Sequence, residues 1–227
     1  MQYLTNQYQI KMKVTENITI TNEDNMLLMS RFPDNYFDLA IVDPPYGIDR
    51  GGQVETFTKN PKHKRKHHTV KNWDNEIPNK EYFDELFRVS KNQIIWGANY
   101  FVEFLNKSSM GWIFWFKGQE GLSMSDGEIA YSSFQKATRQ INLNRGLIAQ
   151  QGGSIHPTQK PTKLYRWLLE NYAKENDKIL DTHLGSGSIA IACHDYKFEL
   201  TACELDKEYF DKAIQRITNH TNQTKLF

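Results

Sequence analysis

The stretch KILDTHLGSGSIAIACHDYKFELTACE, residues 178–204, decides the fold because it contains one complete β-α-β unit. Its pattern predicts a strand at 178–181, a glycine-rich turn at 183–188, a helix at 189–196 and a second strand at 198–203. Gly185 and Gly187 allow the backbone to turn tightly and to approach a ligand closely. The helix that follows directs free amides towards a carboxylate or phosphate group. The unit therefore predicts an α/β fold with a nucleotide-like ligand.

Glu204 ends the second strand about 20 residues after the glycine turn, where an acidic side chain reaches ribose hydroxyls in such units. The third glycine of the dinucleotide pattern is missing, so NAD and a smaller adenosine ligand are both open. Taken alone, the unit is also compatible with a tight strand-to-helix turn followed by a surface acid.

The rest of the chain alternates between strand and helix patterns. Strands are predicted at 18–20, 37–42, 93–96 and 112–116. Helices are predicted at 24–30, 79–90 and 161–173, and a closing helix places Phe210, Ala213, Ile214 and Ile217 on one face. This alternation predicts a mostly parallel central sheet with helices on both faces.

The composition indicates one globular domain. The chain has 227 residues, 39% hydrophobic and 24% charged, so we expect a single domain over residues 1–227. Lys and Arg total 28 against 27 Asp and Glu, which excludes a uniformly basic surface and restricts a polyanion site to a local patch. With no long apolar run and no secretory signal pattern, the expected location is the cytoplasm.

Cysteine and histidine usage argues against covalent or metal cross-links. Cys193 and Cys203 are both flanked by apolar residues, which favours buried, reduced thiols. The seven histidines show no ligand spacing, so no metal site is predicted.

Asp43-Pro44-Pro45-Tyr46 follows the predicted strand 37–42, at the carboxyl edge where α/β sheets place their sites. Asp43 and the Pro44 carbonyl can accept hydrogen bonds from an exocyclic NH2 group, and Tyr46 can stack on an aromatic ring. These residues suit a planar base that carries an amino group. A proline-capped turn after a strand is the competing interpretation.

His156-Pro157-Thr158-Gln159-Lys160-Pro161 leads into the predicted helix 161–173. Thr158 and Lys160 can hold a carboxylate, although this segment alone is an ordinary helix-entry turn. The combination of motifs is more specific than any single one. Their order, at 43–46, 156–161 and 181–188, resembles that of the S-adenosylmethionine-dependent DNA amino-methyltransferases in the permuted, β-type arrangement.

The resemblance implies a Rossmann-like methyltransferase fold, S-adenosylmethionine as cofactor and DNA as substrate. Asp43, Pro44, Pro45 and Tyr46 match the catalytic tetrapeptide of the family. The implied cofactor contacts are Asp24, Asp43, Thr158, Gln159, Lys160, Asp181, His183, Gly185, Ser186, Gly187, Ser188 and Glu204.

Three positions depart from the family pattern. Thr182-His183 stands where Pro-Phe is usual before the glycine turn, and Ser188 replaces the commoner Thr. The family phenylalanine packs against the cofactor, a contact that His183 makes less well. A short recognition insertion is expected at about 117–155, which leaves no room for a large target-recognition domain.

DNA contacts are expected from two segments. The loop at about 47–75 carries a basic run with Lys62, Lys64, Arg65 and Lys66, for which a solvated charged loop is the alternative. Arg139 and Arg145, with Asn142 and Asn144, form a second polar cluster suited to phosphates and base edges. Asp126 and Glu128 can line the target pocket, but a turn at 125–128 is favoured.

The leading hypothesis is an adenine-N6 DNA methyltransferase that flips its target base. Alternatives are a cytosine-N4 methyltransferase, a nicotinamide oxidoreductase, and a cofactor-binding DNA-binding module without catalysis. The short insertion leaves open a homodimer or an accessory specificity partner.

Overall fold

A computed structural model describes residues 10–49, 71–105, 108–118, 120, 125–144, 146 and 153–223. The strands are β1 (Ile10–Lys13), β2 (Ile18–Asn22), β3 (Leu39–Val42), β4 (Gln93–Trp96), β5 (Ile113–Phe116), β6 (Gly127–Ser132), β7 (Arg139–Asn142), β8 (Lys178–Asp181) and β9 (Glu199–Cys203). The helices are α1 (Asn25–Met29), α2 (Lys80–Val89), α3 (Thr162–Tyr172), α4 (Ser188–Tyr196) and α5 (Lys207–Thr221).

Within the described residues these strands form one sheet in the order β1-β2-β9-β8-β3-β4-β6-β5-β7. Strands β2, β9, β8, β3 and β4 are parallel, with Ile179 opposite both Leu39 and Leu200. Strand β6 is antiparallel to both β4 and β5, and β7 is parallel to β5. Because β6 runs in the opposite direction, it begins at the edge where the parallel strands end.

Alternation along the buried strands divides the core between the two faces of the sheet. In β3, Leu39 and Ile41 belong to a cluster with α3, α4 and α5, whereas Ala40 and Val42 belong to a cluster with α1 and α2. Helix α2 begins at Asn79, whose side-chain oxygen accepts from Tyr82 N at 3.1 Å. The sheet therefore has helices on both faces, as the sequence predicted.

Each strand and helix predicted from the sequence is present, with bounds that differ by no more than two residues. Cys193 and Cys203 are buried free thiols, which confirms that prediction. No helix in the described ranges is both long enough and apolar enough to cross a membrane.

Strands β1, β6 and β7 were not predicted, and the turn expected at 125–128 was wrong because Gly127 and Glu128 begin β6. Strand β7 (RQIN) has a single buried residue, Ile141, so its sequence carries almost no strand pattern. Pairing with a neighbouring strand decides the conformation of such segments.

Candidate active site

Asp43 lies directly beyond the end of β3, where Pro44 and Pro45 prevent the strand from continuing. Its Oδ1 accepts from the Tyr46 hydroxyl at 2.6 Å, and its Oδ2 pairs with Lys160 Nζ at 2.5 Å. The side chain keeps 17% of its surface exposed. Burial raises the pKa of Asp43, with Lys160 opposing that shift. The result is a proton acceptor at the sheet edge.

The Tyr46 ring is held from several sides. Its backbone N–H donates to Asp74 Oδ1 at 2.7 Å, and its ring stacks on Tyr100 with centroids 5.1 Å apart. Gly97 lies so close that an added Cβ would be 2.1 Å from Tyr46 Cε1. These contacts fix the hydroxyl that hydrogen-bonds Asp43.

A cavity of about 410 Å³, here called the Tyr46 cavity, opens beside this motif. Asp43, Tyr46, Tyr100, Lys117 and Glu128 are among its lining residues. Its size and its mixture of aromatic and charged groups suit a small aromatic ligand with polar edges.

A second cavity of about 750 Å³, the Gly185 cavity, lies over the glycine turn. Glu204 shapes the turn, since its Oε2 accepts from Gly185 N at 2.8 Å and its Oε1 accepts from Asp206 N at 2.9 Å. Burial raises the pKa of Glu204 to about 7 despite these hydrogen bonds. Burial also raises the pKa of Asp181, which accepts from His183 N at 3.0 Å, to about 8. Glu204 on the cavity wall and Asp181 behind the glycine turn thus both have a pKa raised towards neutral pH.

The two cavities meet at Asp43. Both are lined by Asp43, Pro45, Trp73, Thr158, Gln159 and Lys160. Ligands in the two cavities would therefore approach each other at this carboxylate, which is the arrangement a group transfer between two substrates requires.

His183 occupies the wall of the Gly185 cavity in a chain of polar groups. Its Nε2 lies 3.1 Å from Asn25 Nδ2, and its Nδ1 lies 2.9 Å from Thr182 Oγ1, which in turn lies 2.8 Å from the Tyr82 hydroxyl. Burial lowers the pKa of His183 to about 3, so the ring is neutral at physiological pH. Polar partners on both nitrogens let this position tolerate histidine.

With this geometry in hand, comparisons with known proteins identify the family. A family model described as DNA methylase matches residues 106–215. The type II methyltransferase M.HpaI of Haemophilus parainfluenzae is 24% identical over 239 residues, which cover 86% of this chain and 72% of the relative.

This chain is similar to the DNA amino-methyltransferases of the N6/N4 family.

Solved structures share its fold. The M1.HpyAVI–SAM complex has a TM-score of 0.57 at 18% identity, with 87% of this chain and 98% of that chain covered. PvuII DNA methyltransferase, described as cytosine-N4-specific, has a TM-score of 0.60 at 11% identity, with coverage of 94% and 89%. The architecture is therefore that of S-adenosylmethionine-dependent methyltransferases.

The Gly185 cavity fits S-adenosylmethionine, the molecule bound in the M1.HpyAVI–SAM complex, in size and in chemistry. It combines carboxylates for hydroxyl groups, a tight turn with backbone amides, and an opening towards Asp43. The volume lies within the usual range for a small-molecule site of this kind.

The structure brings most of the residues expected to contact the cofactor to this cavity. Asp24, Thr158, Gln159, Lys160, His183, Gly185, Ser186 and Glu204 line it together with Asp43. Asp24 also caps α1, because its Oδ1 accepts from Met26 N at 2.8 Å. The position of Asp24 is therefore compatible with a cofactor contact as well as with its role as a helix cap.

Three other expected residues support the turn from behind. Asp181 is buried beneath His183, and Gly187 adopts the positive φ of 72° that begins α4. Ser188 Oγ donates to the Lys160 carbonyl at 2.8 Å and is also bonded by Arg216. This contact joins the glycine turn to the segment 156–161.

Sequence reasoning favoured a turn over a pocket position for Glu128, which lines the Tyr46 cavity, and it missed Lys117. Glu128 Oε1 pairs with Lys117 Nζ at 2.5 Å, and its Oε2 pairs with Lys160 Nζ at 2.9 Å. No local pattern identifies this carboxylate, because its place depends on the antiparallel pairing of β6. Lys160, expected near the cofactor's carboxylate, lines the Gly185 cavity and also bridges the two acidic side chains.

The structure describes only some of the residues expected to contact DNA. Arg139 is exposed at the beginning of β7, and it is the opposite end of that strand, Asn142, that lies towards the edge with Asp43. Lys62, Lys64, Arg65, Lys66 and Arg145 lie outside the described residues.

Proposed function

We propose that this methyltransferase transfers a methyl group from S-adenosylmethionine to N6 of adenine in DNA. The observation that carries the proposal is the position of Asp43 where the Tyr46 cavity and the Gly185 cavity meet. We further propose that residues 1–227 act as one domain of the permuted, β-type order, in the cytoplasm.

The amino nitrogen of adenine is a weak nucleophile because its lone pair is shared with the ring. Hydrogen bonds from this amine to an Asp43 oxygen and to the Pro44 carbonyl localise the lone pair on nitrogen. When bound, S-adenosylmethionine supplies an electrophilic sulfonium methyl group. Asp43 then takes the proton that the methylated amine releases, and its raised pKa favours that role.

The remaining assigned residues hold the two substrates. Glu204 accepts from ribose hydroxyls, while Gly185, Ser186 and Asp24 line the rest of the cofactor site. Tyr46 and Tyr100 form the aromatic wall on which the target base packs. Such placement supplies most of the rate enhancement for a transfer of this kind.

The target base must leave the duplex to enter the Tyr46 cavity, and phosphate contacts must hold the distorted DNA. We propose the basic run with Lys62, Lys64, Arg65 and Lys66 for this role, with Arg139 and Arg145 as additional contacts. Each such contact adds to the salt dependence of binding.

Adenine is favoured over cytosine as the target base. In this family, an aspartate at the first position of the catalytic tetrapeptide is more typical of enzymes that act on adenine. Cytosine N4 presents the same geometry to Asp43 and to the Pro44 carbonyl. The cytosine-N4-specific PvuII enzyme shares this fold, so cytosine is the second candidate target.

The test is to incubate the chain with methyl-labelled S-adenosylmethionine and unmethylated genomic DNA, then digest the DNA to nucleosides for mass spectrometry. We expect N6-methyladenosine from the wild type and none from Asp43→Ala. Formation of N4-methylcytosine would show that the target base is cytosine, and the proposed mechanism would still apply. A folded protein that binds cofactor but forms no methylated base would contradict a catalytic role.

A further inference from the structure

The Tyr46 cavity contains a buried row of alternating charges. Lys117, Glu128, Lys160 and Asp43 follow one another at 2.5, 2.9 and 2.5 Å between charged atoms. The side chain of Lys160 is only 2% exposed and that of Lys117 only 9%. Two carboxylates and two ammonium groups make the row neutral as a whole.

Lys160 is shared between the two carboxylates. An ammonium group has three donors, and those of Lys160 face Asp43 Oδ2, Glu128 Oε2 and, at 3.3 Å, the Tyr46 hydroxyl oxygen. Only one oxygen of Asp43 therefore pairs with Lys160, and the other accepts a hydrogen bond from the Tyr46 hydroxyl at 2.6 Å. A carboxylate offers about four lone-pair sites, so capacity remains for a target amine.

Glu128 reaches Lys160 because of the sheet topology. Strand β6 begins at the edge where β3 and β4 end, and Glu128 follows its first residue. On its other side the carboxylate is anchored by Lys117, which follows β5. This anchoring holds Glu128 where it can draw Lys160 away from exclusive pairing with Asp43.

We propose that Glu128 is a positioning residue for methyl transfer, holding Lys160 between two carboxylates so that Asp43 keeps acceptor sites for the target amine. This inference rests on the proposed function of Asp43 as the acceptor for that amine. It assigns Glu128 no direct contact with the reacting atoms.

Removing the charge of Glu128 has two consequences that a merely structural residue does not have. Lys160 would pair with Asp43 alone, which neutralises the acceptor and slows methyl transfer. The pKa of Asp43 would fall, because the charge of Glu128 raises it. The acid limb of the pH–rate profile would therefore move to lower pH while the maximal rate decreases.

The other titratable and charged groups around Asp43 are not themselves altered by the substitution. They are Lys160 before α3, Tyr46 after β3, Asp181 on β8, Tyr82 on α2, Tyr165 on α3 and Lys117 after β5. Only the negative charge of Glu128 changes, so the direction of the pH shift reports on that charge.

The experiment compares wild type, Glu128→Gln and Glu128→Asp under single-turnover conditions with DNA and S-adenosylmethionine. We expect Glu128→Gln to reduce the methylation rate by about 10- to 100-fold with cofactor affinity unchanged. The melting temperature should also fall, because the buried Lys117 loses its charged partner. Glu128→Asp restores the carboxylate and should recover part of the rate. Asp126→Asn is the matched control, since Asp126 is an exposed acid two residues away on the same segment.

A Glu128→Gln rate equal to that of wild type would overturn the inference, as would a lower rate with an unmoved acid limb. Equal losses of rate and cofactor affinity would indicate a general structural role and would also overturn it. Failure of the proposed function is distinguishable, because the wild type itself would then form no methylated base.

Discussion

The Gly185 cavity and the Tyr46 cavity are built in different ways. One β-α-β unit supplies the glycine turn and Glu204 of the first cavity, and its other walls come from segments around 23–26, 73–82 and 156–165. The second takes its lining from segments around 43–46, 73–74, 97–100, 114–117, 125–129 and 157–160. The first cavity is built around one local unit of the chain, whereas the charged groups of the second, on Asp43, Glu128 and Lys160, come from three distant segments.

This difference separates the residues expected to bind the cofactor from those expected to carry out methyl transfer. In the Gly185 cavity a contiguous β-α-β unit supplies the glycine turn and one acid, which position a ligand largely by backbone geometry. An assembled cavity depends on every segment that supports it, so a change far along the chain can displace the reacting groups. Substitutions in the two cavities should therefore affect different measurements.

The largest effect is expected from Gly97→Ala in the Tyr46 cavity. The new methyl group would lie 2.1 Å from Tyr46 Cε1, which forces the ring and its hydrogen bond to Asp43 to move. We expect the single-turnover methylation rate to fall by about 100-fold, with cofactor affinity retained in isothermal titration calorimetry.

Gly153→Ala provides the control for that experiment. Gly153 also has a positive φ, 88°, but an added Cβ there meets nothing within 4 Å. If the two alanine variants lose activity equally, backbone strain rather than the contact with Tyr46 is responsible.

Gly187→Ala tests the Gly185 cavity in the same way. Its φ of 72° is unfavourable for alanine, and the new Cβ would lie 2.8 Å from Ile217 Cδ1. Because this contact is with the end of a side chain, we expect a loss of about 1–2 kcal/mol in the free energy of unfolding. Urea denaturation measures the loss, and Ile217→Val in the same chain should recover part of it.

A pH dependence of cofactor affinity follows from Glu204. Ribose hydroxyls donate to the ionised carboxylate, and with a pKa of about 7 that form is mostly lost at pH 6. Affinity for S-adenosylmethionine should therefore be about tenfold weaker at pH 6 than at pH 8. Glu204→Gln should bind S-adenosylmethionine more weakly and should reduce the pH dependence of that affinity. Any pH dependence that remains would come from Asp181, whose pKa is about 8. An unchanged slope in Glu204→Gln would exclude Glu204 as the titrating group.

The smallest effect is expected outside both cavities, at Arg139. If this exposed side chain contacts a phosphate, Arg139→Ala should weaken DNA binding a few-fold and reduce the salt slope of log K by about one unit. Lys174→Ala is the control, since Lys174 is an exposed cation before the amino end of β8, away from the active edge. Equal slopes for Arg139→Ala and the wild type would remove Arg139 from the DNA interface.

The sequence predicted the central sheet and its flanking helices because their apolar residues repeat with clear periods. Strand β3 is buried along its whole length, and α2 buries Tyr82, Phe83, Leu86 and Val89 on one face. The short polar strand β7 and the first residues of β6 have no such pattern, because pairing with their neighbours determines their conformation.

The motifs likewise located the candidate site but not its electrostatics. Asp43 and Glu204 each follow a strand, which places them at one edge of a parallel sheet from sequence alone. That Lys160 joins Asp43 to Glu128 could not be predicted, since these residues lie on three distant segments.

By itself the sequence determined the class of fold, the glycine turn and the position of Asp43 at the end of a strand. These features depend on local backbone preferences and on the spacing of apolar residues, which a single chain displays directly. The tertiary structure alone decided which side chains surround Asp43, because strand β6 enters the sheet in the opposite direction and carries Glu128 to that edge. Electrostatic interactions act through space over a few ångströms, so they are settled only when the sheet has formed.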